Sequence, residues 1–211
     1  MPDSTLRVVE HPLIEHKLSL LRDARTEPRH FRELVHEVTM LMTFRATESL
    51  EGEEVAFETP LEPMRARRIR EDRVVVVPVL RAGLGMVEGV LRLIPGARAG
   101  HLGFERNEET LEPRRYYGKL PPNPQRFSFL LVDPMLGTGG TASASIADLK
   151  ERGVENIVFI CLVAAPEGAG RLAVEHPDVP IYTAALDRQL NENGYILPGL
   201  GDAGDRLFGT M

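Results

Sequence analysis

The chain has 211 residues, 43% of them hydrophobic, with 25 basic against 31 acidic residues and a formal net charge of -6. A chain of this length buries roughly 70% of its unfolded surface, so we expect one elaborated domain over residues 1–211. The acidic balance argues against broad nucleic-acid binding. A single Cys161 excludes a disulfide framework, and no apolar run reaches membrane length or forms a signal-peptide core. We therefore expect a cytoplasmic protein with no membrane partner.

The N-terminal region, residues 1–70, is predicted to be helical. Apolar residues recur at helical spacing in HPLIEHKLSLLRD and in EPRHFRELVHEVTMLMTFRATESL. The stripe in the second segment consists of Phe31, Leu34, Val35, Val38, Leu41 and Met42. Two helices therefore lead the fold, and the proline-punctuated stretch TPLEPMRARR follows them.

Beyond this region the pattern changes to unbroken apolar runs. The segments RVVVVPVL, RFSFLLVD, NIVFICLVAA and VPIYTAAL are typical of buried parallel strands. Between or after them, GMVEGVLRLIPG, TASASIADLKERG and PEGAGRLAVEHP predict short crossover helices, the first ending at Pro95 and Gly96 and the second at Gly153. The predicted fold class is α/β, an open and mostly parallel twisted sheet flanked by helices.

Residues 103–124 interrupt this alternation with the sequence GFERNEETLEPRRYYGKLPPNP. The segment is charged, aromatic and proline-rich without clear periodicity, which predicts a long loop or a β-hairpin arm. Loops of this length in compact domains are typically functional or mobile, and we interpret this one as a mobile loop. A solvated surface insertion is the alternative that the charge content favours.

An acid and a glycine-rich turn follow the strand RFSFLLVD, in the stretch VDPMLGTGGT. The order strand, turn, helix places backbone N–H groups where an anion can bind, and glycines allow backbone dihedrals and a close approach that a side chain would block. Thr138 and Thr141 add hydroxyl donors. Asp133 could accept hydrogen bonds from vicinal hydroxyls, so a ribose 5-phosphate would satisfy both parts of the motif.

Two other phosphate motifs compete for the same stretch. The nucleotide-triphosphate loop requires Gly-Lys-Ser/Thr, but the first lysine after the turn is Lys150. The residues from Gly137 to Ala142 do match the dinucleotide pattern G-x-G-x-x-A, although four residues separate Val132 from the first glycine. A dinucleotide oxidoreductase therefore remains an alternative.

The stretch VDPMLGTGGT resembles the 5-phosphoribosyl 1-pyrophosphate (PRPP) binding motif of the type I phosphoribosyltransferases, and its Asp-Pro-Met-Leu form is similar to that of the uracil phosphoribosyltransferases. The resemblance extends from about Leu6 to the end of the chain. Many relatives carry two adjacent acids where this chain has Asp133 and Pro134. Asp133 alone is therefore expected to accept the hydrogen bonds of the ribose hydroxyls. The resemblance implies PRPP contacts at Asp133, Pro134, Met135, Leu136, Gly137, Thr138, Gly139, Gly140 and Thr141.

Two arginine-bearing motifs extend the resemblance. In VPVLRAGLGM, Arg81 follows a predicted strand, and Gly83 and Gly85 let the backbone approach an oxyanion. The family uses this stretch to contact the pyrophosphate of PRPP. In ERNEETLEP, Arg106 occupies the position of a PRPP-binding arginine in the family's mobile loop, which implies a lid that excludes water from a reactive glycosyl centre.

The C-terminal segment, residues 186–211, carries the last motif, LDRQLNENGYILPGLGDAGDRLFGT. Its apolar residues predict that it folds back onto the body, and its glycines at 199, 201 and 204 could expose backbone groups to a planar base edge. The segment resembles the uracil-recognition segment of the family. The resemblance implies uracil contacts at Ile196, Gly201, Asp202 and Ala203, with Asp202 also contacting PRPP.

The resemblance implies transfer of the phosphoribosyl group of PRPP to N1 of uracil, with UMP and diphosphate as products. Asp133, Arg81 and Asp202 are the catalytic candidates, and Asp202 is the candidate for removing the N1 proton. Mg²⁺ is expected to bind mainly through the PRPP phosphates, without protein ligands. The six histidines, expected on the surface or in helices, show no metal-ligand spacing.

Family members are commonly dimers or higher oligomers and some respond to GTP, so a homo-oligomer (dimer or tetramer) and a GTP effector are expectations of the same kind. Three alternatives remain beside this interpretation. They are an RNA-binding regulator that keeps the fold, the dinucleotide oxidoreductase, and a purine or orotate phosphoribosyltransferase. The acidic balance argues against the first, and the C-terminal segment against the last.

Overall fold

The computed structural model describes residues 5–106 and 113–210, the side chain of Arg106 excepted. Its helices are α1 (Pro12–Arg22), α2 (Pro28–Ala46), α3 (Leu84–Leu93), α4 (Gly140–Glu151), α5 (Pro166–Glu175) and α6 (Ala203–Phe208). Its strands are β1 (Leu6–Val8), β2 (Gly52–Glu58), β3 (Pro63–Ile69), β4 (Val74–Leu80), β5 (Arg98–Ala99), β6 (His101–Arg106), β7 (Pro113–Lys119), β8 (Ser128–Val132), β9 (Met135–Leu136), β10 (Asn156–Ala164), β11 (Ile181–Leu186), β12 (Gln189–Leu190) and β13 (Ile196–Leu197).

The main sheet has the order β1-β11-β10-β8-β4-β6-β7, with β5 beside β4 and β9 beside β10. All of its pairings are parallel except that of β6 with β7. The predicted strands therefore form the centre of the sheet, and the predicted helices α1 to α5 are present. The prediction of an open, mostly parallel α/β sheet is confirmed.

Alternate residues of the central strands face two separate hydrophobic layers. The first layer lies against α1, α2, α3 and α6, and the second against α4 and α5. The strand residues of the first layer include Val74, Val76, Leu130, Val132, Ile160 and Leu162. Those of the second include Val75, Val77, Phe129, Leu131, Phe159 and Cys161. Burial on both faces is the reason that these strands have unbroken apolar sequences.

The prediction of a helical region over residues 1–70 is wrong beyond α2. Residues 52–69 form an antiparallel hairpin, in which Gly52 pairs with Ile69 and Glu58 with Pro63. Thr59 closes the turn, because its backbone N–H donates to the carbonyl of Glu62 at 3.0 Å. The side chains of both strands are mostly exposed or half-buried, so they carry none of the apolar periodicity that would have revealed the hairpin.

The arm predicted over residues 103–124 contains a second antiparallel hairpin, β6 with β7, which has a register irregularity at Gly103 and Phe104. The arm is tied to α4 because Arg115, on β7, pairs with the buried Asp148, which also pairs with Arg152 at the end of the same helix. The mobile lid predicted around Arg106 falls mainly on residues 107–112, which lie outside the described residues.

Two further features bear on the sequence predictions. Cys161 is buried, as expected, and burial raises the pKa of its thiol to about 12. Among the residues that the structure describes, the helices are too short or too polar to cross a lipid bilayer.

Candidate active site

The candidate site lies where β8 and β4 end side by side. Val132 pairs with Pro78 in this parallel pair, so the residues that follow the two strands emerge at the same edge of the sheet. Asp133 follows β8, and Arg81 follows β4. Parallel α/β sheets bind ligands in the crevice outside the carboxyl ends of their strands. Asp133 and Arg81 are 52 residues apart in the chain, yet the pairing of β8 with β4 brings both to this edge.

Asp133 is half-buried at the base of this crevice. Its Oδ1 accepts a hydrogen bond from the backbone N–H of Met135 at 3.4 Å. Burial raises the pKa of Asp133 to about 7, and the hydrogen bond from Met135 lowers it only in part. Burial in a low-dielectric environment disfavours the carboxylate form, and donors supplied by a ligand would favour it. The side chain is thus suited to accept hydrogen bonds from a diol.

Residues 134–136 do not form a free loop, because β10 holds their backbone. The carbonyl of Pro134 accepts hydrogen bonds from Leu162 and Val163 at 3.0 and 3.2 Å, and that of Leu136 accepts one from Ala165 at 2.8 Å. Pro134 is buried and does not line the cavity described below. Its contribution in this structure is to position the turn through its carbonyl oxygen.

The turn itself needs glycine mainly at one position. Gly139 has φ +79°, in the left-handed region, and is the N-cap of α4. Gly137 has no such dihedral, and a Cβ atom there would lie 3.6 Å from its nearest neighbour, the carbonyl oxygen of Gly194. Of the three glycines at 137, 139 and 140, therefore, Gly139 is the one that adopts the left-handed dihedral. The first backbone amides of a helix have no partner within the helix, and that of Gly140 makes only a long hydrogen bond, of 3.5 Å, to the Oγ1 of Thr138, so these amides can turn to an anion.

Arg81 lies beside the cavity but does not line it; its neighbour Ala82 does. The Arg81 side chain is exposed, and the peptide bond between Leu80 and Arg81 is cis. Gly83, two residues on, lies against the strands, where a Cβ atom would come within 2.5 Å of the carbonyl oxygen of Val132. Close packing at Gly83 thus holds the Arg81 turn against the end of β8.

The C-terminal segment forms the opposite wall. Ile196 is buried on the short strand β13, and Gly201 has φ +73°. Asp202 is the N-cap of α6, where its Oδ1 accepts from the backbone N–H of Asp205 at 2.9 Å. Helix α6 was not predicted, because six residues with two glycine-rich flanks show too little periodicity for a helix.

These walls enclose a cavity of about 330 Å³. It is lined by Ala82, Asp133, residues 135–142, residues 193–196 and residues 201–204. Every expected PRPP and uracil residue whose side chain the structure describes lies on this cavity except Arg81 and Pro134. The side chain of Arg106 lies outside the described part of the chain. Four lining residues were not among the predicted site residues, although they lie within or beside the identified motifs: Ala82, Asn193, Gly194 and Tyr195.

An ion pair between Arg22 and the buried carboxylate of Asp187 anchors the C-terminal wall. Arg22 donates through both Nη atoms to the carboxylate of Asp187 at 2.6 and 2.8 Å. The same carboxylate accepts from the backbone N–H of Gly199 at 2.8 Å, and Arg22 also donates to the carbonyl of Gly199 at 2.7 Å. Both backbone groups of Gly199 are thus engaged in the anchor, and Gly199 does not line the cavity, which corrects the expectation that it faces a base. Gly201 and Gly204 do line the cavity.

Arg206 provides the second anchor. Its guanidinium donates to the carbonyls of Leu21, Asp23 and Leu200 and stacks over the ring of Phe31 at 4.3 Å. Burial lowers the pKa of this guanidinium. The N-terminal helices thus hold the C-terminal segment in place over a long sequence separation.

A larger cavity, of about 620 Å³, lies at the other edge of the sheet. It is lined by residues at the amino-terminal ends of strands, such as Ser128 and Asn156, and by side chains of both charges, such as Arg70 and Glu53. Arg70 is already paired there with Glu53 and Asp72. The smaller cavity is the better candidate for chemistry, because the perturbed Asp133 and the amides of the glycine turn converge on it.

Within residues 5–106 and 113–210, no three His, Cys, Asp or Glu side chains come together as a metal site. His176 departs from the expectation of a surface histidine. It is buried, and its Nε2 lies 3.0 Å from the Oγ of Ser143. Burial and the nearby Lys150 lower the pKa of His176.

Comparisons with known proteins bear directly on this site. Residues 8–210 match the family model described as uracil phosphoribosyltransferase. The uracil phosphoribosyltransferase of Macrococcus caseolyticus is 55% identical over 205 residues, which cover 97% of this chain and 98% of the relative. That of Geobacillus kaustophilus is 55% identical over 203 residues, which cover 96% and 97%.

Solved structures agree with the fold. The AQ2163 protein of Aquifex aeolicus superposes with a TM-score of 0.89 at 36% identity, covering 96% of this chain and 97% of that one. A hypoxanthine-guanine phosphoribosyltransferase of Bacillus anthracis reaches a TM-score of 0.50 at 12% identity, covering 76% and 80%. At that identity the second likeness concerns the fold alone.

Proposed function

The chain belongs to the uracil phosphoribosyltransferase family, and from that premise we propose how its cavity performs the reaction. The activity is transfer of the phosphoribosyl group of PRPP to N1 of uracil, which yields UMP and diphosphate and salvages a pyrimidine base. The observation that carries the proposal is the convergence of the glycine turn, Asp133 and the segment from Ile196 to Gly204 on one cavity.

PRPP is proposed to bind with its 5-phosphate on the turn. The backbone amides from Gly137 to Thr141 and the hydroxyls of Thr138 and Thr141 are the donors, and the positive end of α4 adds about 0.3 to 1 kcal/mol of preference for an anion. Asp133 accepts from the ribose hydroxyls. Their donation favours the carboxylate form and so lowers its raised pKa on binding.

The pyrophosphate of PRPP is proposed to lie beyond the ribose, toward the Arg81 turn. Arg81 follows β4 and is exposed at the edge of the cavity, where a bidentate guanidinium contact with an oxyanion is possible. Arg106, at the end of β6, is proposed to contribute the second positive charge. The two side chains would neutralise charge that grows on the leaving group.

Uracil is proposed to bind against Ile196, Gly201, Asp202 and Ala203. The backbone N–H and C=O groups of this stretch can match the alternating acceptors and donors of a pyrimidine edge. Arg22, Asp187 and Arg206 hold the stretch rigid, so the recognising groups are positioned before the base arrives. Preorganisation of this kind reduces the loss of conformational entropy on binding.

Cleavage at C1 places positive charge on the ribose ring and negative charge on the departing diphosphate. The protein's contribution is therefore positioning and electrostatic stabilisation, and no protein nucleophile is required. Asp202 is the candidate for accepting the N1 proton. Its Oδ1 already caps α6, so we assign that task to Oδ2, which has no hydrogen-bond partner among the described residues.

Further properties are proposed beyond the reaction itself. Phosphoribosyltransferases generally use Mg²⁺ with PRPP, and in this chain Asp133 is the carboxylate near which the ion would lie, bound mainly through substrate phosphates. Bound Mg²⁺ would neutralise part of the diphosphate charge. Assembly into a homo-oligomer and a response to GTP are proposed from the family alone. That residues 1–211 act as one domain is proposed from the length of the chain, and a cytoplasmic location is proposed with it.

The direct test is to incubate the protein with PRPP and Mg²⁺ and with uracil, orotate, hypoxanthine or adenine in turn. The proposal expects a nucleoside monophosphate with uracil alone. Product with another base and none with uracil would contradict the assignment of the C-terminal segment. Asp133→Ala should raise the KM for PRPP, whereas Asp178→Ala, an aspartate paired with Lys150 on the surface, serves as the matched control.

A further inference from the structure

Helix α5 packs directly against the glycine turn. A Cβ atom on Gly168 would lie 2.4 Å from the carbonyl oxygen of Gly137 and 3.1 Å from the amide nitrogen of Gly139. These contacts are too short for any side chain, so Gly168 allows the backbone of α5 to touch the backbone of the turn. The turn is therefore closed from behind by a neighbouring helix.

This packing brings Arg171, almost one helical turn further along α5, to the start of α4. A Cβ atom on Gly139 would lie 3.4 Å from the Cβ of Arg171, and one on Gly140 would lie 3.3 Å from its Nη1. Glycine at both positions leaves room for this side chain. A guanidinium nitrogen thus lies beside the amides that are proposed to bind the 5-phosphate.

The ion pair of Arg171 with Glu175 orients the guanidinium group. Its Nε donates to both carboxylate oxygens of Glu175, at 3.0 and 3.1 Å. Glu175 in turn accepts a hydrogen bond from Ser143, on the first turn of α4. Because Nε is bound to Glu175 and Nη1 lies beside Gly140, the guanidinium of Arg171 extends from Glu175 towards the glycine turn.

We propose that Arg171 is a further residue for binding PRPP, one that stabilises its 5-phosphate from behind the glycine turn. The inference rests on the proposed function, because it requires the 5-phosphate to lie on residues 137–141. Glu175 reduces the effect by neutralising part of the charge. The guanidinium does not line the cavity, so its contribution is electrostatic or mediated by water.

A purely structural role for the same ion pair makes a different prediction. If Arg171 and Glu175 only held α5 in place, neutralising either side chain would disturb the turn and weaken PRPP binding in the same direction. If the charge of Arg171 acts on the phosphate, the two changes have opposite signs. Arg171→Gln removes a positive charge, and Glu175→Gln removes the negative charge that offsets it while keeping an oxygen acceptor.

The experiment measures inhibition of the uracil reaction by ribose 5-phosphate and, separately, by pyrophosphate. We expect Arg171→Gln to weaken inhibition by ribose 5-phosphate about two- to fivefold and to raise the KM for PRPP by a similar factor, with inhibition by pyrophosphate and the KM for uracil unchanged. Glu175→Gln should strengthen inhibition by ribose 5-phosphate, and Arg171→Lys should retain most of the wild-type value.

Arg92→Gln is the matched control, because Arg92 forms an i,i+4 ion pair with Glu88 on α3, at 3.1 Å and also through Nε. The inference is overturned if Arg171→Gln behaves like Arg92→Gln, or if Arg171→Gln and Glu175→Gln shift the inhibition constant in the same direction. A wild-type protein that forms no UMP would instead refute the proposed function itself. The two failures are therefore distinguishable.

Discussion

Asp133→Asn should stabilise the ligand-free protein, and the gain should grow with pH. The folded protein raises the pKa of Asp133 from 3.8 to about 7 because the carboxylate is poorly solvated. Between these two values the folded state holds a proton that the unfolded chain releases, so stability falls as pH rises through about 4 to 7. Asparagine keeps the acceptor for Met135 and has no charge to desolvate.

The size of the gain follows from the pKa difference. One pKa unit corresponds to about 1.4 kcal/mol, so the difference between 3.8 and about 7 gives a ceiling of about 4 kcal/mol above pH 7. Asp133 faces an open cavity, which lets water reduce this penalty. We expect the free energy of unfolding of Asp133→Asn to exceed that of wild type by about 1 to 3 kcal/mol at pH 8, and the difference to vanish near pH 4.

Urea unfolding of both proteins at pH 4, 6 and 8 in a phosphate-free buffer measures this difference. Asp178→Asn is the control of opposite sign, since the hydrogen bond from Lys150 lowers the pKa of Asp178. That variant should lose stability relative to wild type at pH 8 and approach wild type in acid. The reasoning about Asp133 is refuted if Asp133→Asn is no more stable than wild type at pH 8, or if its gain is the same at every pH.

Three further substitutions test the packing around the cavity. Gly83→Ala should lower the free energy of unfolding by about 2 to 4 kcal/mol, because its Cβ would overlap strand backbone, whereas Gly170→Ala, with nothing within 4 Å, should raise it by up to about 1 kcal/mol. Gly139→Ala should raise the KM for PRPP, while Gly153→Ala, with a similar φ of +83°, should leave the KM unchanged at a loss of about 1 to 2 kcal/mol in stability. The loss for Gly139→Ala should be larger, because its Cβ would also lie 3.0 Å from the carbonyl oxygen of Gly168. Asp187→Ala should lower the free energy of unfolding by about 3 to 5 kcal/mol, measured in urea, and raise the KM for uracil, because it breaks a buried ion pair. Any of these variants with wild-type stability and kinetics would contradict the packing assigned to it.

The centre of the fold could be predicted from the sequence because its strands are buried on both faces. Runs such as RVVVVPVL and NIVFICLVAA are typical of strands that are buried on both faces. The helices between them end at recognisable stop signals, Pro95 and Gly153. The turn after β8 was predictable for a similar reason. A strand, an acid and three glycines before a helix are close together in the chain, so local chemistry alone indicates an anion site.

The hairpin formed by β2 and β3 could not be predicted in the same way. Its residues extend into solvent, so charged side chains occupy positions that would be apolar in a buried strand. The anchors of the C-terminal segment were missed for another reason. Arg22 and Asp187 are 165 residues apart, and nothing in the residues around either one indicates that they pair across the fold. Arg171 likewise reaches the glycine turn only through the packing of α5.

The central claim is that the turn following Val132 holds the ribose 5-phosphate of PRPP while the C-terminal segment holds uracil. A crystal structure with PRPP, Mg²⁺ and a non-reactive uracil analogue tests it most directly. The account predicts the 5-phosphate on the amides of residues 137–141, the ribose hydroxyls on Asp133, and the base against Ile196 and Gly201. A 5-phosphate bound at any other place, with the turn unoccupied, would contradict it.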